Sequence, residues 1–272
     1  MSTDHKISRY YEDEINYYYI QNIVIWIIIS ISLPLTVMAL YFLVQDKNIQ
    51  TYVINLFISD VIQLCCLVIV TADPKQEIVL VCLMIYWYAE MTSINFMVCV
   101  AFERYLAIAH PLWYRFSRSV KINAVVCVVV WLLSVVLAVP MFFLYEEGIA
   151  VIMSATFHLL PFPCFIFFLV GAVRALSAAI HLNSVEKRRI IGTLVLPILT
   201  YSMLFTPFII RHFVEEIISM KITIIIFICI SLSPLANVIL YVFIRRGFLD
   251  KLLVSLCCKM DENENNTSET AL

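Results

Sequence analysis

The sequence predicts an all-α fold, a seven-transmembrane helix bundle followed by a short amphipathic helix 8. Three observations lead to this fold class. Of the 272 residues, 62% are hydrophobic and 14% are charged, whereas a soluble domain has about 25% charged residues. Seven apolar runs reach the length of about 20 residues that a helix needs to cross the hydrocarbon core. The charged residues collect between these runs, which excludes a soluble globular domain.

The first apolar run follows a polar N-terminal segment and is too long for the core of a signal peptide. Five of the seven runs contain no Asp, Glu, Lys or Arg, whereas Asp60 and Glu90 lie inside the second and third. The predicted spans are 20–44, 48–72, 78–109, 122–145, 148–173, 190–210 and 222–244. The predicted domains are an extracellular tail at 1–19, one transmembrane domain at 20–244, helix 8 at 245–258 and a cytoplasmic tail at 259–272.

The basic residues predict the orientation, because cytoplasmic loops of membrane proteins carry an excess of Lys and Arg. With the N-terminus outside, thirteen of the 18 basic residues lie on the cytoplasmic side and five on the outer side. The opposite orientation would reverse this ratio. We therefore expect a multi-pass plasma-membrane protein with an extracellular N-terminus.

Asp60 and Glu90 need an explanation, because an ionisable side chain inside a span costs a few kcal/mol on insertion scales and usually faces the bundle interior. Glu90 and Arg104 are about 40° apart around an ideal helix and about 21 Å apart along it, so they share one inward stripe. Asp60 either is a structural group bonded to neighbouring helices or has a functional role. Glu90 either lines a ligand pocket or is a protonated acid with one local partner.

The ten residues from Glu103 to Leu112 begin with Glu-Arg-Tyr and end with His-Pro-Leu. They closely resemble the cytoplasmic end of the third helix in rhodopsin-like (class A) G-protein-coupled receptors. A charged cluster that anchors a helix end at the membrane interface would explain the charges but not the His-Pro-Leu segment. The resemblance implies that Glu103 holds Arg104 until activation releases the arginine toward a G protein.

Other motifs of the same family lie in the expected runs and order. Asp60 ends a second-helix motif, and Trp131 matches the fourth-helix tryptophan. The segment Phe-Thr-Pro at 205–207 is similar to the sixth-helix Trp-x-Pro motif, and 237–241 resembles Asn-Pro-x-x-Tyr. The resemblance implies an activation switch that comprises Glu103, Arg104, Tyr105, Phe205, Pro207, Asn237 and Tyr241. It also implies an allosteric sodium ion, because hard oxygen ligands suit a hard cation; the candidate ligands are Asp60, Ser93, Ser233 and Asn237.

Three residues depart from the family pattern. Thr36 stands where the first helix usually has Asn, Val238 replaces the seventh-helix proline, and Cys82 has no cysteine at 145–150 with which to form the outer disulfide. Phe205 is typical of the branch that holds purinergic, lipid and proton-sensing receptors. The expected ligand is therefore a small molecule, lipid, nucleotide or proton, and histidine suits a proton because it titrates near neutral pH. The candidate pocket residues are Tyr86, Glu90, His158, Phe208 and His212.

The C-terminal segment carries signals for further partners. Cys257 and Cys258 follow an amphipathic stretch beneath the membrane and are candidates for S-palmitoylation. The last three residues, which end in Leu272, match a motif that PDZ domains bind by strand addition. Basic clusters at 187–189 and 245–246 suit anionic membrane lipid or a heterotrimeric G protein. No nucleic-acid polymer is expected as a partner.

The predicted function is transmission of an extracellular signal to heterotrimeric G proteins. One alternative is a receptor-like protein that does not couple, which the altered motifs allow. Another is a transporter or channel, but such folds usually show paired half-repeats or broken helices around a midplane site, and this chain has four glycines and no matching halves. An enzyme is not expected, because the metal-binding and nucleotide-binding motifs of enzymes are missing from the sequence.

Overall fold

The structure is a computed structural model that describes residues 2–45, 51–72, 75–117, 119–143, 149–178, 184–213 and 220–245. These ranges contain helices and no strand, so the predicted all-α fold class is confirmed. Helix 8 at 245–258, Cys257, Cys258 and Leu272 lie essentially outside the described residues. The helices are α1 Ser2–Gln45, α2 Thr51–Thr71, α3 Gln76–Ala109, α4 Pro111–Ser117, α5 Val120–Phe143, α6 Ile149–Leu159, α7 Pro161–Ala178, α8 Ser184–Phe213, α9 Met220–Ser231 and α10 Ser233–Arg245.

Seven apolar segments of the described chain make up the bundle. Six are long and apolar enough to cross a membrane, and α8 supplies a shorter seventh at Leu194–Ile210. The apolar part of α8 is shorter because the start of the helix carries Glu, Lys and two Arg residues. The seven-helix fold is therefore confirmed. The six longer spans are Tyr19–Gln45, Thr51–Thr71, Gln76–Ala109, Lys121–Pro140, Ile152–Ala178 and Ile222–Val242.

The N-terminal segment 1–19 was expected to be a tail, and its backbone is helical from Ser2 onward. The apolar span starts only at Tyr19, so the first turns of α1 extend the membrane helix into a polar sequence. No proline or glycine interrupts residues 2–18, and those two residue types are the strongest helix breakers.

Two of the spans are interrupted next to a proline. The fifth consists of α6 and α7, which meet at a turn at Leu160 immediately before Pro161. The seventh consists of α9 and α10, which meet at Leu232, two residues before Pro234. Proline has no backbone N–H to donate and clashes with the preceding turn. The seventh span thus changes from α9 to α10 near Pro234, whereas Val238 lies within α10.

The packing of the bundle places α3 at its centre, in contact with α2, α4, α5, α7 and α8. Large side chains such as Phe57, Phe96 and Tyr201 are fully buried inside. Apolar side chains also cover the outside, since Val125, Val136 and others on α5 are more than half exposed. An apolar outer surface suits contact with lipid chains rather than water, and it leaves the polar side chains clustered between the helices.

Candidate functional site

The first polar cluster is centred on Asp60 of α2, which is completely buried. Ser93 donates a hydrogen bond to Asp60 Oδ1 at 2.7 Å, and Asn237 Nδ2 donates to Asp60 Oδ2 at 3.0 Å. Gln63 Nε2 is 3.3 Å from Asp60 Oδ1. Ser233 is buried one helical turn before Asn237 on α10. The structure thus brings Asp60, Ser93 and Asn237, three of the predicted sodium ligands, into direct contact across α2, α3 and α10.

The oxygen atoms of this cluster determine which metal it suits. Oδ1 of Asn237 and Oε1 of Gln63 are buried and accept no hydrogen bond from the described residues. With the carboxylate of Asp60 and the hydroxyl of Ser93, they provide hard, neutral or singly charged oxygen donors, which suit a hard cation. Among the described residues, no three His, Cys, Asp or Glu side chains come together as a transition metal would require.

The acid of the Glu-Arg-Tyr motif has a different partner from the one expected. Glu103 accepts a hydrogen bond from the hydroxyl of Tyr114 on α4 at 3.2 Å. Within the described part of the chain, no ion pair joins Glu103 to Arg104. Adjacent residues of a helix point about 100° apart, and the phenol of Tyr114 lies on the side of Glu103. The expected hold of Glu103 on Arg104 is therefore not seen in this packing.

Arg104 instead lines a cavity near the end of α3 that leads into α4. The cavity has a volume of about 60 Å³, lies between α2, α3, α8 and α10, and is mostly apolar. Arg104, Asn237 and Tyr241 supply its polar lining. The ring of Tyr241 packs edge-on against Phe57 of α2, with 5.5 Å between the ring centroids. Three of the predicted switch residues therefore surround one cavity.

Tyr105, the third residue of the motif, packs between α3 and α7. Its ring stacks on Phe168 at a centroid distance of 5.7 Å and lies 6.4 Å from Phe102. On the other side it approaches the backbone of Gly171, where an added Cβ would stand 2.5 Å from Tyr105 Cε2. Only a residue without a side chain fits at position 171 while Tyr105 keeps this place.

The sixth-helix motif lies deeper in the bundle. Phe205 is fully buried, with its ring 4.6 Å from Tyr201 and 5.5 Å from His158. Pro207 is half-buried inside α8, which continues through it as a helix. Tyr201 was missed at the sequence level, although it lies four residues before Phe205 and so shares its face of the helix.

The predicted ligand-pocket residues form one closed cluster. Tyr86, Glu90, His158 and Phe208 are between 0% and 5% exposed. His158 Nε2 lies 3.6 Å from Glu90 Oε1, and the ring centroids of His158 and Phe208 are 4.4 Å apart. The cluster is therefore assembled as expected but sealed in this packing. The side chain of His212 lies outside the described residues.

A polar seam also joins α2, α3 and α5. Trp131 Nε1 donates to Asn55 Oδ1 at 3.0 Å, and Asn95 Nδ2 donates to the hydroxyl of Ser134 at 3.1 Å. Trp131, the predicted fourth-helix landmark, thus has a structural partner on α2. Trp131 also packs against Phe96, with ring centroids 5.9 Å apart.

The three residues that depart from the family pattern are accommodated by their immediate surroundings. Thr36 donates to the carbonyl of Ser32 in its own helix at 2.7 Å, so this hydroxyl is satisfied without a link to α2. Val238 is buried as an ordinary apolar core residue. Cys82 is a buried free thiol.

Comparisons with known proteins agree with the motifs. The family described as "7 transmembrane receptor (rhodopsin family)" matches residues 35–149. The chain is 28% identical over 127 residues to the Mas-related G-protein coupled receptor member B2 of Mus musculus, with 42% of this chain and 38% of that receptor covered. It is 26% identical over 184 residues to member X1 of Rattus norvegicus, with 61% and 56% covered.

A shorter match joins the chain to the type-1 angiotensin II receptor of Gallus gallus, with 40% identity over 48 residues, 18% of this chain and 13% of that receptor. The chain therefore spans between about a tenth and just over a half of the length of these relatives. All of them are receptors rather than enzymes. The purinergic, lipid and proton-sensing branch is not tested by these names and stays a prediction.

Proposed function

We propose that the chain, of which residues 35–149 match the rhodopsin-family receptor model, transmits an extracellular signal to heterotrimeric G proteins. The observation that carries this proposal is the position of Arg104. Arg104 lines a cavity together with Asn237 and Tyr241, and it has no ion-pair partner among the described residues. An unpaired cation in an apolar cavity suits the anionic or carbonyl groups at the end of a docking peptide.

The proposed mechanism is a shift between two packings of the helices. A ligand that binds one packing more tightly than the other changes their populations by its difference in affinity. In the active packing, α8 moves away from α3, the cavity at Arg104 widens, and the C-terminal segment of a Gα subunit docks there. The ligand class is one of those expected from the sequence: a small molecule, lipid, nucleotide or proton.

The coupling proposal is tested by a G-protein dissociation assay in cells, across all Gα families and with a panel of pH values, lipids and nucleotides. We expect wild type to dissociate one Gα family. Arg104→Ala should weaken that response about tenfold or more, since a hydrogen bond to a charged group contributes roughly 1.5–3 kcal/mol. The matched control, Lys121→Ala, removes an exposed cytoplasmic cation and should leave the response unchanged. The proposal fails if neither wild type nor Glu103→Gln changes the signal of any Gα family.

We also propose a sodium ion as an allosteric ligand of the cluster at Asp60. The support is chemical: one carboxylate, one hydroxyl and the unpaired amide oxygen of Asn237 lie together in a buried site. A bound cation would compensate the charge of Asp60 and hold α2, α3 and α10 together. The donor set fits sodium better than a transition metal, because all its atoms are hard oxygens.

The orientation proposed for the chain places the N-terminus outside the cell and α4 at the cytoplasmic face. The support is the distribution of basic residues, thirteen of the 18 on one side. This orientation also puts Arg104 and its cavity where a G protein can reach them. S-palmitoylation at Cys257 and Cys258 would further fix the C-terminal segment to the cytoplasmic leaflet.

A further inference from the structure

Glu90 of α3 and His158 of α6 form an isolated buried pair. Both residues are completely buried, and His158 Nε2 lies 3.6 Å from Glu90 Oε1. Neither carboxylate oxygen of Glu90 nor Nε2 of His158 makes a hydrogen bond to any described residue. Two ionisable groups thus face each other in an apolar interior, and within the described chain they have only one another as partners.

The other ring nitrogen of His158 determines the protonation of the pair. Nδ1 lies 2.7 Å from the backbone carbonyl of Ser154, and a carbonyl oxygen only accepts hydrogen bonds. Nδ1 therefore carries a proton. Without a second proton, Nε2 would present its lone pair to a carboxylate, which is a repulsive arrangement. The contact is attractive only when one proton lies between Nε2 and Oε1, either on the imidazole or on the carboxyl group.

Aromatic rings of α8 pack against the histidine. The ring centroids of Phe208 and Phe205 lie 4.4 Å and 5.5 Å from that of His158. A cation within about 6 Å of an aromatic face is attracted by the ring. Both phenylalanines belong to α8, the helix expected to move on activation, so the protonation of His158 acts directly on that helix.

The same residue ties three helices together. Tyr201 of α8 donates a hydrogen bond to the backbone carbonyl of His158 at 2.7 Å. Helix α6 packs on α5, α7 and α8, and its polar contact with α3 among the described residues is the one between His158 and Glu90. Loss of that contact would remove this polar link between α6 and α3 without breaking the link between α6 and α8.

Few other titratable groups face the pair within the described residues. Tyr86 of α3 and Tyr201 of α8 are near enough to Glu90 to interact with it electrostatically. Both are neutral phenols at physiological pH. The nearest acid on α2, Asp60, is held by Ser93 and Asn237. These surroundings therefore supply no second charge to neutralise Glu90 or His158.

We propose that Glu90 and His158 form a binding site for a single proton, and that this shared proton holds α3 to α6 and α8 in the resting packing. When the pair has one proton, it is neutral overall and attractive. Removal of the proton leaves an unpaired buried carboxylate opposite a lone pair, so the resting packing is destabilised as the pH rises. Glu90 is thus a positioning residue for His158 and, through it, for Phe205 and Phe208.

The test compares wild type with Glu90→Gln, which is nearly isosteric. The introduced amide would donate to the neutral Nε2 of His158, so the link no longer needs a shared proton. Thermal unfolding of the full chain in lipid nanodiscs is followed between about pH 6 and pH 9, the range around the usual histidine pKa. We expect the Tm of wild type to fall with rising pH by about 3 °C or more relative to Glu90→Gln, a shift typical of a stability change near 1 kcal/mol. Equal slopes for the two proteins would overturn the proposal.

Two further variants keep the test decisive if Glu90→Gln folds poorly. The double variant Glu90→Leu with His158→Phe replaces the pair by apolar groups, a change that buried ion pairs often tolerate, and its Tm should also lose the pH dependence. His158→Asn keeps a donor for the carbonyl of Ser154 but leaves Glu90 without a partner. Its Tm should lie below that of wild type throughout and still fall with rising pH. Loss of pH dependence in His158→Asn but not in the double variant would overturn the assignment of the proton to this pair.

A second readout rests on the proposed coupling to G proteins. Basal G-protein turnover in the same nanodiscs should increase with pH for wild type and stay constant for Glu90→Gln. If neither protein activates any G protein, coupling fails while the unfolding comparison still decides the proton site. If turnover occurs but the unfolding slopes are equal, the proton site fails while coupling stands.

Discussion

At the scale of single residues, the close contact between Gly171 and Tyr105 constrains which residue position 171 accepts. The ring of Tyr105 also contacts Phe102 and Phe168. A larger residue at 171 would therefore require the ring to shift within these contacts. The Glu-Arg-Tyr motif does not predict this contact, because Tyr105 belongs to α3 and Gly171 belongs to α7.

We expect Gly171→Ala to destabilise the protein. Alanine favours a helix over glycine by about 1 kcal/mol, but the new Cβ would stand 2.5 Å from Tyr105 Cε2, and overpacking costs typically about 1–3 kcal/mol. The net loss should lower the Tm in nanodiscs by up to a few degrees. In a Tyr105→Leu background, the same substitution should be neutral or stabilising. A higher Tm for Gly171→Ala in the native background would show that the ring of Tyr105 yields.

The residues of the candidate site differ in how well their contacts could be predicted from the sequence. Asp60, Ser93 and Asn237 could be predicted because each belongs to a family motif with fixed spacing. Tyr114 could not, because its bond to Glu103 depends on how α4 folds back after His110. The link from Glu90 to His158 was foreseen only as a shared pocket, since the turn at Leu160 decides where on α6 the histidine faces.

At the scale of helices, the cluster at Asp60 shows how one carboxylate organises three elements. Ser93 and Asn237 reach it from α3 and α10, and each hydrogen bond crosses a helix interface. Between helices in lipid there is no hydrophobic driving force, so association depends on van der Waals packing and such polar contacts. The packing of α2, α3 and α10 is accordingly sensitive to an ion or a substituted side chain at the Asp60 cluster.

Sodium should raise the Tm of the wild-type protein when NaCl replaces N-methylglucamine chloride at constant ionic strength, because a ligand that binds only the folded state stabilises it. Asp60→Asn should abolish the sodium-dependent part of the Tm. The matched control is Ser59→Ala, which removes a buried hydroxyl of the same helix that bonds to the carbonyl of Leu56. A sodium shift that persists in Asp60→Asn would place the ion elsewhere.

The helices themselves could largely be read from the sequence, because long apolar runs have few alternatives in a membrane. The two interruptions were less predictable, since prolines in comparable apolar surroundings behave differently. A turn separates two helices near Pro161 and near Pro234. The prolines that remain inside continuous helices are Pro34, Pro140, Pro197 and Pro207.

At the scale of the whole molecule, the distribution of charge determines which face meets the cytoplasm. We expect an epitope placed before Met1 to be labelled by antibody in intact cells, and an epitope placed after Leu272 to be labelled only after permeabilisation. Labelling both in permeabilised cells is the control. Asn265 and Asn266 should carry no glycan, and labelling of the C-terminal epitope in intact cells would reverse the proposed topology.

The interruption at Leu232 has a mechanical consequence. Helix α10 runs for 13 residues, about 20 Å at 1.5 Å per residue, and it follows α9 directly through that turn. A tilt of about 10° about the turn would displace its far end by roughly 3 Å over this length. Asn237 sits near the pivot and Tyr241 further out. A small shift of Asn237 beside Asp60 would therefore accompany a larger displacement of Tyr241 at the wall of the cavity that Arg104 lines.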